Sequence, residues 1–368
     1  MTLNSLDILN YKNIAEAHLT FTAGVNCLIG NNGMGKTNVL DAIYYLSMCK
    51  SYINQTDSSV IRHDEPFMML HGSYTRRDAE EDISLSLQRG RRKVVRRGGK
   101  EYQRLSQHIG LLPVVMISPL DTDLIRGASE ERRRLMDQII SQGNAEYLDA
   151  LIRYGKALQQ RNSMIRNEMR DPLLFETVEE VMNSSAQVIH ESRQRFAEQF
   201  TPILERFYGE IAGVNEAVSL RYSSQLNELT LPELLEANRQ RDYALGYSSR
   251  GVHRDDLELL LGEYPLRQAG SQGQHKTFTI ALRLAQHDFL RESNTTSPIL
   301  LLDDIFDKLV AQRVERIVSV VATDRFGQIF ITDTNRTHLD QIISRMPGEH
   351  VMMNVANGEV SPAKTPQP

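Results

Sequence analysis

Gly30-Asn31-Asn32-Gly33-Met34-Gly35-Lys36-Thr37 is the stretch that decides the fold. It fills every position of G-x-x-x-x-G-K-[ST], the phosphate-binding loop. Cys27, Leu28 and Ile29 close an apolar run that begins at Val25, which predicts a strand feeding the loop. Val39, Leu40, Ala42, Ile43 and Leu46 recur at helical spacing behind it, which predicts a helix. Glycines permit the tight turns and let backbone N–H groups approach phosphate oxygens. The helix N-terminus adds partial positive charge at the same place. Lys36 is expected to reach the β- and γ-phosphates and the Thr37 hydroxyl to bind Mg²⁺, with Asn38 completing the candidate ATP-binding run Gly30 to Asn38.

A loop of this kind is half a site. The other half lies far along the chain, where Ile299-Leu300-Leu301-Leu302-Asp303-Asp304 reads as a buried strand ending in two carboxylates. Asp303 is the natural partner for the magnesium. Asp304 stands where a carboxylate orients or deprotonates an attacking water, so Lys36 and Asp304 are the candidate catalytic pair. The two ends of the chain are therefore expected to fold into one α/β nucleotide-binding unit with something inserted between them.

A third motif precedes that strand. Gly270-Ser271-Gln272-Gly273-Gln274-His275-Lys276 leads into a helical pattern at Phe278, Ala281, Leu282, Leu284, Ala285 and Phe289. A small-residue loop opening a helix is a second anion-binding end. One chain does not need two such ends for one nucleotide, whereas two chains sharing nucleotides do. Ser-Gln-Gly-Gln before a helix, ahead of a Walker B strand, looks like the ABC-type signature of SMC-related ATPases. With Gly251-Val252-His253-Arg254-Asp255-Asp256-Leu257, Ser118-Pro119-Leu120-Asp121, Gly127 and Glu131-Arg132-Arg133-Arg134-Leu135-Met136-Asp137, the ordered set resembles the RecF family of bacterial recombination mediators, from about residue 3 to about residue 345.

The resemblance implies an ABC-type ATPase head, from residues 1–125 and 250–350, an inserted helical arm at 126–249 and a C-terminal tail at 351–368. It implies a homodimer that sandwiches two ATP molecules, each between one subunit's phosphate loop and the other's signature. It also implies slow ATP hydrolysis, binding to gapped DNA and single-strand/double-strand junctions, and cooperation with RecR and RecO in loading RecA. Carried onto this chain, Ser271, Gln272 and Gly273 match the signature, with Ser271 touching the γ-phosphate of the partner's ATP. Lys12 and Asn13 match a basic-Asn pair near the nucleotide, and Thr332 to Thr334 lie where a switch residue senses the γ-phosphate. The chain departs from the pattern in places. Asp304 stands where most ABC ATPases have Glu, one methylene longer, which suits a slow switch. Val310 replaces an Asp, Ile53 in Lys50-Ser51-Tyr52-Ile53-Asn54 an Arg, and Val252 a Pro. No glutamine lies near Ser118, where Asp121 is the candidate metal or water ligand, and the switch position has no His.

Composition sets bounds. The chain has 368 residues, enough for two to three domains; 40% are hydrophobic and 24% charged, ordinary for a globular protein. A net charge of −5 argues against indiscriminate polyanion binding, so a DNA site must be a local basic patch. Cys27 and Cys49 make no disulfide framework, no His/Cys cluster suggests zinc, no apolar run is long enough to cross a membrane, and Met1 to Leu9 is a strand rather than a signal peptide. A cytoplasmic location is the expectation.

Along the chain, residues 3–29 and 67–105 read as strands, with Ile83, Leu85 and Leu87 alternating, a turn at Gly98-Gly99, and Val114-Val115-Met116-Ile117 a short buried strand. From about Ser129 the period turns helical. Leu148, Leu151, Leu158, Ile165 and Met169 form one stripe, Asp171-Pro172 breaks it, and Met182, Ala186, Ile189, Phe196, Phe200, Ile203 and Phe207 form a second, which together predict an antiparallel helical arm. The end, Ser361 to Pro368, reads as disordered. The densest basic run holds the nucleic-acid candidates Arg91, Arg92, Lys93, Arg96 and Arg97, flanked by Arg89, Lys100 and Arg104; the alternative is a solvated hairpin. In Arg132-Arg133-Arg134 at least one residue is expected to pair with Glu130 or Glu131, His253 to Asp256 to form an internal salt-bridged hinge, and His275 and Lys276 either to sense phosphate or simply to start a helix. A transporter ATPase is disfavoured by the signature, the arm, and the missing Q-loop glutamine and switch His. A GTPase is disfavoured by the missing [NT]-K-x-D. A clamp that binds ATP without hydrolysing it stays open.

Overall fold

The computed structural model describes residues 1–53, 56–213, 216–294, 296–306 and 309–363. Asn54, Asp307, Lys308 and residues 364–368, all within stretches read above, lie outside the described residues. The strands are β1 (Thr2–Tyr11), β2 (Ile14–Thr20), β3 (Val25–Ile29), β4 (Phe67–Arg76), β5 (Ala79–Gln88), β6 (Val94–Arg97), β7 (Lys100–Glu101), β8 (Val114–Ile117), β9 (Val218–Ser223), β10 (Asp256–Leu261), β11 (Tyr264–Pro265), β12 (Ile299–Asp303), β13 (Ile329–Asp333), β14 (His350–Ala356) and β15 (Glu359–Pro362). The helices are α1 (Lys36–Met48), α2 (Asp123–Arg126), α3 (Ser129–Gly143), α4 (Ala145–Arg166), α5 (Pro172–Ala212), α6 (Leu231–Ala237), α7 (Arg239–Leu245), α8 (Leu266–Ala269), α9 (Gln272–Ser293), α10 (Ala311–Val321) and α11 (Arg336–Ile343). They divide into two compact units, residues 1–121, 209–213 and 277–368 in one and 122–208 and 214–276 in the other.

The first unit holds two sheets. One has the order β15-β14-β3-β13-β12-β8, with β3, β8, β12, β13 and β14 parallel. β3, β8, β12 and β13 are buried at every residue, which is why they read as largely apolar runs instead of alternating. The other sheet, β2-β1-β4-β5-β6-β7, is antiparallel and shows the alternation, with Ile83, Leu85 and Leu87 of β5 inside. Helix α1 packs against strands of both sheets, so its apolar residues cover nearly all its faces. Burying each large one stabilises the unit by roughly 1.5–3 kcal/mol.

Parallel register brings the carboxyl ends together. Asp303 lies opposite Thr332, and Asp333 opposite Ile29, so the phosphate loop, both acids and the switch residues share one edge. The chain beyond residue 350, expected as a tail, supplies β14 and β15 to this sheet, and its Val355 and Met353 are core. The His350–Ala356 and Glu359–Pro362 runs are too short and too polar on one side to stand out in sequence.

The second unit is built on α4 and α5, broken at Asn167 to Asp171 as the stripes predict. Asn144 caps α4 by accepting from the Tyr147 N–H at 3.0 Å. A small antiparallel sheet, β11-β10-β9, completes it. The boundary differs from the expected 249/250: residues 250–276, with the signature, group with the helices. The reason is pairing, because β10 needs β9 as its hydrogen-bonding partner, and Arg132 of α3 forks onto Asp256 at 2.8 Å through both Nε and Nη2.

Candidate nucleotide-binding site

Backbone freedom comes first. Gly35 sits at φ +114 as the N-cap of α1, and a Cβ there would meet the Asn13 side chain at 2.8 Å. A Cβ on Gly30 would meet the Val355 carbonyl at 2.2 Å, so the loop lies against β14 with no room for a side chain. The loop carbonyls hold the lysine, whose Nζ donates to Gly30 O at 2.8 Å and Asn31 O at 3.2 Å and lies 3.9 Å from Asp304 Oδ2. Met34 O accepts from Gly358 N at 2.8 Å and Asn13 Nδ2 at 3.2 Å, and Asn38 Nδ2 donates to Asn13 Oδ1 at 2.7 Å. Asn13 thus braces the second half of the loop against the first turn of α1. Asn31, Asn32 and Gly33 are exposed.

At the far edge, the Thr37 hydroxyl donates to Asp303 Oδ1 at 2.8 Å and lies 3.0 Å from Oδ2. Thr332 Oγ1 donates to Asp303 Oδ1 at 2.9 Å and accepts from the Asp304 N–H at 2.9 Å. Burial pushes the Asp303 carboxyl up to about 6, with the Asp304 charge adding to the rise and the two threonine donors opposing it. Asp304 adopts φ +46, an unusual left-handed conformation for a non-glycine residue. A buried, destabilised carboxylate beside a hydroxyl is a donor set that suits Mg²⁺, so Thr37 and Asp303 are the residues that would hold the ion. When bound, the ion would neutralise charge on the phosphates.

Lys12 is placed differently from the expectation of a nucleotide contact. Its Nζ is 2.6 Å from Asp41 Oδ2, and this fully buried carboxylate also accepts from Tyr11 OH, Ser51 Oγ and the Tyr52 N–H. Asp121, the candidate metal or water ligand, is also committed elsewhere. It is buried, takes the Arg283 guanidinium at 2.6 Å, and accepts from Tyr52 OH and the Ser118 N–H. Its place in sequence fitted a ligand, but the Arg283 partner on α9 was invisible there. His338 was missed altogether. It opens α11 behind the Asn335 cap, its Nδ1 is 2.9 Å from Asp333 Oδ2, and its ring meets Phe306 edge-on. It thereby ties the end of β13 to the segment following the Walker B acids, from a position that no motif marks.

In the second unit, Ser271 and Gln274 cap α9 reciprocally: Gln274 Oε1 accepts from the Ser271 N–H at 2.8 Å, and Ser271 Oγ from the Gln274 N–H at 3.3 Å. Ser271 and Gln272 are exposed and Gly273 half-buried, so this helix end faces solvent. His275 is buried against Leu266 O at 2.9 Å, a helix-start role rather than phosphate sensing.

The basic run is a hairpin whose members divide. Lys93 is spent on Asp57 and Cys49 O at 2.8 and 2.6 Å, and Arg97 forks onto Glu81, so both are structural in place of the expected phosphate contacts. Arg89 donates to three carbonyls. Arg91 is exposed, while Arg92 and Arg96 make only loose contacts with Glu101 at 3.4 and 3.9 Å. Arg134 pairs with Glu130 and Glu131, and Arg193 closes onto Asp255 at 2.7 Å, so the acids of the 251–257 motif are internal ion-pair partners.

The family model described as RecF/RecN/SMC N terminal domain matches residues 2–356. A protein of Parabacteroides distasonis named DNA replication and repair protein RecF is 51% identical over 362 residues, covering 98% of this chain and 99% of its own. Among solved structures, the recombination mediator protein RecF of the RecFOR pathway with ATP superposes at TM-score 0.89, 27% identical over 98% of this chain and 97% of the other. The same mediator with ATPrS gives TM-score 0.87 at 26% identity, over 99% and 98%.

Proposed function

The chain belongs to the RecF family of SMC-like ABC ATPases, and from that membership we propose that it is an ATP-switched DNA-binding dimer acting in replication and repair. The observation that carries the reading is Thr37 Oγ1 lying 2.8 Å from Asp303 Oδ1, because it joins the phosphate loop to the Walker B acid although 266 residues separate them. The second support is an exposed signature helix end, in a unit separate from the loop.

In this mechanism backbone N–H groups of Gly30 to Lys36 bind the phosphates, and Lys36 moves from its loop carbonyls to the β- and γ-oxygens. Thr37 and Asp303 would hold Mg²⁺, which would neutralise charge on the phosphates. Ser271 to Gly273 of the second subunit close over the γ-phosphate, so ATP joins two chains. Asp304 orients the water. Its short side chain makes turnover slow, DNA binding stimulates it, and Thr332, bonded to both acids, reports loss of the γ-phosphate. The closed dimer holds gapped or junction DNA, and hydrolysis releases it. RecR and RecO are the partners, and RecA loading the outcome.

The test is mass in solution by light scattering with ATP, with ADP and with no nucleotide, for wild type, Lys36→Ala and Ser271→Arg. A dimer with ATP alone, lost in both variants, is expected. A monomer under all conditions overturns the shared-nucleotide mechanism.

A further inference from the structure

The motif Gly251 to Leu257 is only partly used by the fold. Its acids are internal, but Arg254 is exposed, and its guanidinium lies over the Tyr247 ring at 5.2 Å. Tyr247 is itself 40% exposed. Arg250 is half-buried in an open polar cleft of about 470 Å³ lined by Ser223, Gln225, Asn238 and Arg254 as well, with Glu228 as its one acid. Arg250 donates to Asn238 Oδ1 at 3.3 Å and Arg254 to Ser248 O at 3.4 Å, so both guanidiniums are held by neutral oxygens. Arg170 lies over the half-buried Tyr243 at 5.3 Å in a different cleft, one lined by Glu176, Glu179 and Glu180, and the Arg166 side chain runs 3.8 Å from where Gly246 would carry a Cβ. Of the acids around these residues, Asp242 is fully buried and paired with Arg161 at 2.7 Å, while Glu168 and Asp171 beside Arg170 are exposed.

Guanidiniums with no ion-pair partner among the described residues, beside the exposed Tyr247 ring, are what single-stranded nucleic acid needs, charge for the backbone and a flat ring for an unpaired base. A rigid base supports them. Gly251 sits at φ +122, its N–H donates to Gln225 Oε1, and His253 bonds Tyr154 OH at 2.8 Å and Ser248 O at 3.0 Å. We propose that Arg250, Arg254 and Tyr247 of the helical unit form a binding site for single-stranded nucleic acid, separate from the basic hairpin of the other unit. The site deepens the DNA-binding reading above and rests on it.

The experiment is fluorescence anisotropy of the full chain with ATP and Mg²⁺, on a labelled single strand and on the duplex of the same sequence, over a salt series. Arg250→Gln with Arg254→Gln is expected to weaken single-strand binding at least about tenfold and to lower the log–log salt slope by about 1.4, near 0.7 per lost phosphate contact. Tyr247→Ala is expected to cost on the order of tenfold and Tyr247→Phe to restore it, since stacking needs the ring and not the hydroxyl. Nucleotide affinity, measured alongside, shows that the variants are folded. Wild-type affinity and slope in all these variants overturn the inference, as does loss confined to duplex with Tyr247→Ala neutral. Wild type that binds no DNA defeats the parent reading as well. Wild type that binds, with loss only in Arg91→Gln/Arg92→Gln/Arg96→Gln, defeats the arm site alone.

Discussion

Asp304 shows how much one residue can set. Its carboxylate is 3.9 Å from Lys36 Nζ, its backbone is in the left-handed region, and its N–H is fixed by Thr332. Asp304→Asn keeps the size but removes the charge that orients water. ATP turnover is expected to fall at least about a hundredfold, within the range for loss of a general base, while ATP-dependent dimerisation persists; phosphate release and light scattering on the same samples check both. Gly251 is the other residue where a single atom decides. At φ +122 a Cβ would meet the rigid Tyr154 hydroxyl at 2.4 Å. Gly251→Ala is expected to destabilise the chain by about 1–3 kcal/mol, read from urea unfolding. The Asp304 motif was legible as an apolar run ending in acids, whereas the Gly251 motif stood out only through the family resemblance. Nothing in the sequence showed that Lys12 would be held by a buried Asp41, because that carboxylate is shared by donors from separate segments.

Helix α9 is the element with the most to lose. Arg283 is buried with Asp121, Tyr52 OH and Gln286 as partners. Arg283→Met leaves Asp121 as an unpaired buried charge and is expected to cost about 3–5 kcal/mol, whereas Arg283→Met with Asp121→Leu is expected to recover most of it; a denaturant double-mutant cycle measures the coupling. His287, on the same helix, donates its Nε2–H to Pro298 O at 3.0 Å, and burial holds its imidazole down to about 4, as it does that of His253 in the helical unit. The sign follows from proton uptake. Between the unfolded value of about 6.5 and about 4 the unfolded chain binds these protons and the native one does not, so stability falls as pH falls through that window. Each histidine is expected to contribute a slope of up to ~1.4 kcal/mol per pH unit. Urea midpoints of wild type and His287→Gln across pH 4–7 test this, the variant showing the shallower decline.

At the scale of the whole molecule the site is distributed. The loop belongs to one compact unit and the signature to the other. In the shared-nucleotide mechanism, Lys36→Ala and Ser271→Arg each fail alone, but a mixture of the two contains heterodimers with one intact composite site and one doubly broken one. Mixing is expected to restore an ATP-dependent dimer by light scattering and turnover up to roughly a quarter of wild type, half the dimers carrying one of two sites. No recovery would argue for sites completed within one chain.

Sequence alone determined the phosphate loop, the buried Walker B strand and the helical pair, because each is written in local spacing: glycines at fixed offsets, apolar runs, a three-to-four-residue stripe. Tertiary structure decided which charges remain available. It placed Lys93 on Asp57, Arg97 on Glu81 and Asp121 on Arg283, and among the described residues it left Arg91, Arg250 and Arg254 without such partners. It also turned the expected tail into strands whose Gly358 braces Met34 of the phosphate loop. The physical reason is that a charge is silenced by whichever opposite charge the fold brings within a few ångströms, and such partners lie tens to hundreds of residues away, where no spacing rule reaches.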